Sequence, residues 1–121
     1  MKVAVTAQEG TLEAKIDPRF GRAKFFIVFD IESGKFEVRD NSLNLNAAQG
    51  AGIQSAANVA ELGVEAVITG HAGPKAFATL QAAGIKVYAS DAALSVSEAL
   101  ERFKSGSLKC LDNADVNGHW V

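Results

Sequence analysis

Two short segments of the chain combine positive charge with glycine, and both are therefore candidates for holding an anion. Residues 17–24 read DPRFGRAK and place three cations around one aromatic ring. Residues 69–75 read TGHAGPK and lie between a short apolar run and a helical pattern. We call residues 17–24 the cationic loop and residues 69–75 the glycine loop.

The glycine loop has the sequence of a strand-to-helix connection. Residues 64–68 form an apolar run typical of a buried parallel strand, and Gly73 followed by Pro74 indicates a helix start. The first N–H groups of a helix lack carbonyl partners and attract anions, and His71 and Lys75 lie beside them. The spacing of a P-loop is missing, which disfavours ATP or GTP hydrolysis. The simpler alternative, in which the glycines only allow tight turns, stays open.

In the cationic loop, the side-chain types suit a large and soft anion. Arg19 and Arg22 offer planar forks of donors for oxyanions or thioanions, and Lys24 adds a compact charge. The ring of Phe20 would give such an anion a polarisable wall. The alternative is a solvated loop whose Phe20 ring packs onto the sheet.

Three further features carry weaker signals. Gly50 and Gly52 are predicted to begin a second helix, where they would either help to bind an anion or allow close packing. His71 is a candidate metal ligand through an imidazole nitrogen. His119 and Cys110 are weaker candidates, because an isolated histidine is usually a surface residue and a lone cysteine is usually a small core residue.

The composition excludes several classes of protein. A length of 121 residues predicts one domain with its own core, and a net charge of −2 gives no overall attraction for nucleic acid or acidic membranes. The single cysteine excludes an intrachain disulfide and a cysteine-pair metal site. No apolar stretch approaches the roughly 20 residues needed to span a bilayer. The amino-terminal residues run directly into a strand pattern and are too short for a signal peptide, so we expect a cytoplasmic protein.

Catalytic arrangements are also missing from the sequence. It has no Ser-His-Asp order and no nucleophile elbow, and its first strand carries no carboxylate. No pair of histidines or cysteines supports a zinc hydrolase. The sequence therefore favours a binding or carrier protein over an enzyme.

Strand and helix patterns along the chain predict an α/β fold. The order is one strand, a hairpin over residues 25–39, and then helix, strand, helix, strand, helix, which implies parallel crossovers in the second half. A mixed five-stranded sheet with an antiparallel edge hairpin and helices on its faces fits this order. Residues 1–107 form this single domain, and residues 108–121 are predicted to be a loosely packed tail. Ligands bind at the carboxyl ends of strands in such sheets, where the loops after Thr6 and Thr69 converge.

These segments together resemble those of a known family. The matching segments, in the family's order, are residues 16–23, 50–54, 63–70, 73–77 and 83–88. The first resembles the family's phenylalanine-glycine-arginine-alanine loop, the second its first helix start, and the others its strand–loop–helix–strand core. On these motifs the chain is identified as a member of the dinitrogenase iron–molybdenum cofactor biosynthesis family, of the NifX and NifB carboxyl-terminal type, over residues 1–107.

The resemblance implies a ribonuclease-H-like α/β fold without nuclease activity and with helices on both faces of the sheet. It implies non-catalytic binding, carriage or scaffolding of an anionic metal–sulfur cluster or its precursor. That cluster would be an iron–molybdenum sulfide, or a molybdenum–copper sulfide like that of the small orange proteins, to which the chain is similar. The implied partners are donor or acceptor proteins for the cluster, with neither nucleic acid nor membrane.

The residues predicted to bind the cluster come from both loops and from the second glycine-rich helix start. They are Arg19, Phe20, Gly21, Arg22, Lys24, Gly50, Gly52, Gly70, His71, Ala72, Gly73 and Lys75. Among them, His71 is the predicted metal ligand. Arg19 stands where many relatives have histidine, which removes an imidazole and adds a fixed charge. This departure favours holding the cluster by electrostatics over coordination, because a cluster that brings its own sulfides needs mainly positive charge and N–H donors.

Two other classes of function stay open at this point. A small phosphorylated or nucleotide ligand bound by Gly70–Lys75 would indicate an enzyme. A protein–protein adaptor would use the polar loop at residues 41–49.

Overall fold

Strands and helices follow one another in the order that the hydrophobic pattern predicts. The computed structural model describes residues 1–41 and 51–111. Its strands are β1 Lys2–Ala7, β2 Phe25–Asp30, β3 Phe36–Asp40, β4 Ala66–Thr69, β5 Lys86–Ala89 and β6 Lys109–Cys110. Its helices are α1 Ala51–Glu61, α2 Pro74–Ala82 and α3 Val96–Lys104.

The strands of the described residues form one mixed sheet in the order β3-β2-β1-β4-β5-β6. β1 pairs in parallel with β4, and β4 pairs in parallel with β5. β2 and β3 form the predicted antiparallel hairpin at one edge, and this part of the prediction is confirmed.

The prediction of five strands was wrong by one. Lys109–Cys110 adds a sixth, antiparallel strand beside β5, and the Leu111 N–H continues the contact by donating to the Val87 carbonyl at 2.8 Å. A strand this short is held mainly by main-chain hydrogen bonds, so it has no hydrophobic pattern to read. Residues 108–111 of the predicted tail therefore contact the sheet, and residues 112–121 lie outside the described residues.

Helices cover both faces of the sheet. α1 and α2 place Val59 and Leu80 in one core cluster with Val67 of β4. α3 places Leu100 in the cluster on the opposite face, with Ile68 of β4. Successive strand residues point to opposite faces, so a run that is apolar at every position, such as residues 66–68 of β4, is what a sheet covered on both sides requires.

The predicted helix boundaries are set by local chemistry. The Glu98 N–H donates to the Ser95 hydroxyl at 3.1 Å, and the Ser95 N–H donates to Glu98 Oε1 at 3.0 Å. This is the predicted capping box at the start of α3. α2 ends before Gly84, whose φ of 76° suits the left-handed turn that closes a helix. None of the helices in residues 1–41 and 51–111 is long and apolar enough to cross a membrane.

Candidate anion-binding site at the carboxyl edge of the sheet

The carboxyl ends of β1 and β4 lie side by side and anchor both predicted loops. The Thr6 hydroxyl donates to the main-chain oxygen of Asp17 at 2.8 Å and lies 3.0 Å from the Thr69 hydroxyl. The Asp17 N–H donates back to the Thr6 carbonyl at 3.0 Å. Both threonines are fully buried, so water does not compete for these bonds. They fix the start of the cationic loop against the end of β4.

Gly70 brings the two loops into direct backbone contact. A Cβ atom at this position would lie 2.7 Å from both the Cα and the carbonyl oxygen of Pro18, so only glycine permits the approach. One residue further along each loop, Arg19 and His71 form an isolated parallel β-bridge. The Phe20 N–H donates to the His71 carbonyl at 3.1 Å. The cationic loop and the glycine loop therefore form one continuous rim, which we call the carboxyl-edge rim.

The buried carboxylate of Asp17 shapes the interior of the cationic loop. Its Oδ1 accepts from the Arg19 N–H at 3.2 Å, and its Oδ2 accepts from the Lys24 N–H at 3.3 Å. These two inward amides are thus already used, and an external anion would meet the side chains of the loop instead. The sequence analysis assigned no role to Asp17. The available signal was an aspartate at the start of a turn, where its side chain commonly accepts from the backbone two residues later.

Phe20 anchors the loop from below. Its ring is 1% exposed and lies 5.4 Å from the Phe26 ring, between centroids, at an interplanar angle of 48°. Burying a phenylalanine stabilises a fold by about 1.5–3 kcal/mol, which draws the ring into the core and away from the surface. The interpretation of Phe20 as an exposed wall for a soft anion is therefore corrected, and the alternative of a ring packed onto the sheet describes its position.

The end of β3 and the helix α1 hold the second half of the cationic loop. The Ser55 hydroxyl donates to the Gly21 carbonyl at 3.1 Å. The Asn41 side-chain amide donates to the Ala23 carbonyl at 2.8 Å, and its main-chain N–H donates to the Lys24 carbonyl at 2.9 Å. Sequence reasoning did not single out Ser55 or Asn41, because their partners are backbone carbonyls far along the chain.

The described residues include only part of the second glycine-rich helix start. Gly52 lies buried near the start of α1, where a small residue allows close packing. Gly50, its predicted partner in the motif, lies outside the described residues, and so does His119.

The charged side chains of the rim reach solvent to different degrees. Arg19, His71 and Lys75 are exposed, and Arg22 is half-buried. Residues paired in a ladder project to the same side of it, so the Arg19–His71 bridge places these two side chains on one side. Lys75 is the second residue of α2, the helix that leaves the same loop. Lys24 is exposed and directly precedes β2.

The start of α2 adds main-chain donors to the rim. Gly73 is the N-cap residue without a side-chain cap, and Pro74 follows it and has no N–H. The Phe77 N–H makes a helical bond to the Gly73 carbonyl at 2.9 Å. The N–H groups at Lys75 and Ala76 therefore lie at the positive end of the helix dipole. The predicted helix start is confirmed, and its use by an anion stays a prediction.

The donor set of the rim suits an anion better than a bare metal ion. Within residues 1–41 and 51–111, no three or more His, Cys, Asp or Glu side chains are grouped so that they could hold a metal ion. The assignment of His71 as a metal ligand stays a prediction. Guanidinium, ammonium and main-chain N–H groups instead match the sulfides of a preassembled cluster, which accept hydrogen bonds and carry negative charge.

Two cavities of the molecule are lined by other residues. One of about 330 Å³ is lined by the hairpin, including Asp30 and Phe36. Another of about 290 Å³ lies between α2, β5 and the residues around Cys110. The carboxyl-edge rim contributes to neither of them. Its side chains at Arg19, His71 and Lys75 are exposed, so they are available to an external anion.

Comparison with known proteins identifies the class to which this fold and site belong. The family model described as "Dinitrogenase iron-molybdenum cofactor" matches residues 1–106. The chain therefore belongs to the dinitrogenase iron–molybdenum cofactor family, and the predicted resemblance is confirmed.

Three similar proteins support the assignment. An uncharacterised protein of Methanocaldococcus jannaschii, MJ0580, is 32% identical over 112 residues, which is 90% of each chain. The apo form of the orange protein from Desulfovibrio gigas is 40% identical, with a TM-score of 0.93 over 95% of this chain and 96% of that one. A Thermotoga protein described as a NifB protein of the DUF35 family is 36% identical, with a TM-score of 0.83 over 95% and 97%.

Proposed function

We infer that the protein binds and carries an anionic metal–sulfur cluster, or its precursor, on the carboxyl-edge rim and performs no catalysis on it. The observation that carries this proposal is the backbone bridge between Arg19 and His71. It joins a segment with three cations to a helix start that offers N–H donors. Membership of the family supports cofactor biosynthesis as the setting, and likeness to the orange protein supports a cluster as the cargo.

The rim would hold this cargo by charge and hydrogen bonding. Hydrogen bonds with a charged partner are roughly twice as strong as neutral ones, and the sulfides at the surface of a cluster offer many acceptors to Arg19 and its neighbours. No protein–metal bond would have to break on release, which suits transfer to an acceptor protein. Added salt should weaken the binding, because Arg19 and Lys75 are exposed and their charges are screened beyond a Debye length of about 8 Å at physiological ionic strength.

Anaerobic reconstitution tests the proposal directly. The protein is mixed with tetrathiomolybdate, with and without Cu(I), and passed over a desalting column. Retained visible absorption and bound molybdenum, measured by elemental analysis, would support a cluster carrier and would show whether copper is part of the cargo. Replacing copper by iron in a parallel sample compares the two clusters that the family resemblance implied.

Paired charge variants locate the site. Arg19→Ala combined with Lys75→Ala removes one exposed cation from each loop. Each lost charge-assisted bond should cost at least about 1.5 kcal/mol, or roughly tenfold in affinity, so the double variant should bind about 100-fold more weakly. The matched control, Lys35→Ala with Lys86→Ala, removes the same charge away from the rim and should bind as the parent does. Equal binding by both double variants would contradict a site on the rim.

The same samples separate this proposal from its alternatives. Coordination through His71 predicts that His71→Ala alone abolishes binding while the Arg19 and Lys75 variant keeps it. A phosphate- or nucleotide-binding enzyme predicts that nucleotides at millimolar concentration raise the melting temperature. The adaptor alternative predicts a stoichiometric protein partner for the metal-free chain.

Several finer expectations belong to this proposal. They are the absence of enzymatic activity, a cytoplasmic location, the ribonuclease-H-like classification of the fold, and cluster donor and acceptor proteins as partners. Capture of such a partner by the loaded protein, and not by the metal-free protein, would support carriage between proteins.

A further inference from the structure

We propose that Asn41 and Ser55 are positioning residues for the cargo, because together they fix the short turn that carries Arg22. This inference rests on the proposed binding of a cluster at the carboxyl-edge rim. Both residues lie outside the cationic loop, since Asn41 directly follows β3 and Ser55 belongs to α1. Asn41 is 4% exposed and Ser55 is fully buried, so water does not compete for their hydrogen bonds.

Arg22 lies in a tight turn that begins at the rim. The Ala23 N–H donates to the Phe20 carbonyl at 3.4 Å and closes this turn. At its first residue, the Phe20 N–H donates to the His71 carbonyl at 3.1 Å. The turn is therefore joined to the glycine loop, and Arg22 lies two residues from the junction.

Asn41 and Ser55 hold the main chain on both sides of Arg22. The Ser55 hydroxyl donates to the Gly21 carbonyl at 3.1 Å, and this is its nearer acceptor, since Asn41 Oδ1 lies at 3.4 Å. The Asn41 side-chain amide donates to the Ala23 carbonyl at 2.8 Å. The same amide nitrogen lies 3.3 Å from Ser55 Oγ and donates its second proton there. The amide and the hydroxyl thus form one chain of donors that ends on the two carbonyls flanking Arg22.

Holding these two peptide groups fixes the direction in which the Arg22 side chain leaves the main chain. A peptide group is planar, so a bond to its carbonyl oxygen sets the orientation of the whole unit. With the units before and after Arg22 both held, the backbone dihedral angles of Arg22 are constrained. A side chain that starts from a fixed backbone loses less conformational entropy when it binds, which raises affinity through preorganisation.

The charge of Arg22 should contribute more to binding than an exposed charge. Arg22 is half-buried, whereas Arg19 is exposed, and charges that are partly buried are screened less by salt. The guanidinium has five N–H donors in a planar fork, so it can bind sulfides while it keeps contacts within the protein. A loss of its orientation should therefore lower the affinity for the cargo.

A double-mutant cycle separates positioning from a purely structural role. The dissociation constant is measured by anaerobic titration with tetrathiomolybdate and Cu(I), followed by visible absorption. Ser55→Ala should raise it roughly tenfold, as expected for the loss of one charge-assisted hydrogen bond, and Arg22→Ala should raise it to a similar degree. In the Arg22→Ala background, Ser55→Ala should raise it less than about twofold, because the side chain that Ser55 positions is gone. In that background Ser55→Ala should still lower the urea midpoint.

Asn41→Ala gives a second and independent arm of the cycle. It removes the donor to the Ala23 carbonyl, and its effect on the dissociation constant should depend on Arg22 in the same way. The control is Leu100→Ala, because Leu100 is buried in the core cluster on the opposite face of the sheet. This variant should lower the urea midpoint and bind the cluster as the parent does.

The outcomes distinguish this inference from the proposed function. A parent protein that retains no cluster would overturn both. A parent that binds cluster, with Ser55→Ala and Asn41→Ala variants that bind it equally well, would overturn the positioning role alone. The same conclusion would follow if the two variants weakened binding equally with and without Arg22.

Discussion

The contact between Gly70 and Pro18 gives the sharpest test of how the carboxyl-edge rim is built. In Gly70→Ala, the new Cβ would meet the Pro18 Cα and carbonyl oxygen at 2.7 Å, whereas ordinary contacts lie at 3.4–4 Å. The backbone of the cationic loop would have to move by roughly the difference, about 0.7 Å or more. No flexible side chain is available to absorb this movement, since both contacted atoms belong to the main chain.

The expected cost follows from the packing around this contact. Overpacking of a buried site costs about 1–3 kcal/mol, and displacement would also strain the bridge between Arg19 and His71. For a urea m-value of about 2 kcal/mol/M, a loss near 2 kcal/mol would lower the midpoint by about 1 M. Cluster retention should fall in the same variant, because the two loops no longer meet in register.

A second glycine provides the matched control. Gly63 has a φ of 74° with no atom within 4 Å of its built Cβ, so Gly63→Ala is strained without touching either loop. It should lose about 1 kcal/mol or more and keep full cluster binding. If Gly70→Ala unfolds at the parent's urea midpoint and retains cluster normally, the reasoning about the close approach is refuted.

Two further predictions concern single carboxylates. Asp17→Ala should lose about 1–3 kcal/mol of unfolding free energy in urea and weaken cluster retention, because the Arg19 and Lys24 amides lose their acceptor. Asp17→Asn keeps one acceptor oxygen, so its stability should fall between that of Asp17→Ala and that of the parent. An Asp17→Ala variant as stable as the parent would contradict this role. The N–H of Ser95 lowers the pKa of Glu98 below its usual 4.5, so the ionised form stabilises the fold above that value and the benefit is lost as the pH falls through the lower folded value. Glu98→Gln should therefore be less stable than the parent at neutral pH and converge with it in acid, and a pH-independent difference in melting temperature would argue against the capping box as its cause.

Much of the fold could be predicted because its signals are local. The apolar run of β4, the capping box at Ser95 and the glycine after α2 each report on a few neighbouring residues, and each was confirmed. The sixth strand escaped prediction for the opposite reason. Lys109 and Cys110 are held by main-chain bonds to β5, and their side chains do not form a pattern that predicts a strand.

Some features of the candidate site could likewise be predicted from the sequence, and others could not. The types of its charged residues and the helix start at Pro74 are visible in the sequence. The position of Phe20 was not, since a loop aromatic can face either water or the core, and only the arrangement of Phe26 and the helices decides between them. Asp17 and Asn41 escaped notice because their partners are amides and carbonyls whose proximity depends on the folded loop.

The sequence by itself determined the order of strands and helices up to β5 and α3, the scarcity of histidine and cysteine, and the presence of two cation-bearing loops, because these depend on residue type and on spacing along the chain. Only the tertiary structure decided that the two loops touch. Residues 18 and 70 are brought together by the parallel pairing of β1 with β4 and by the absence of a side chain at Gly70. Contacts between distant parts of a chain depend on the packing of the whole sheet, and local sequence carries little information about them.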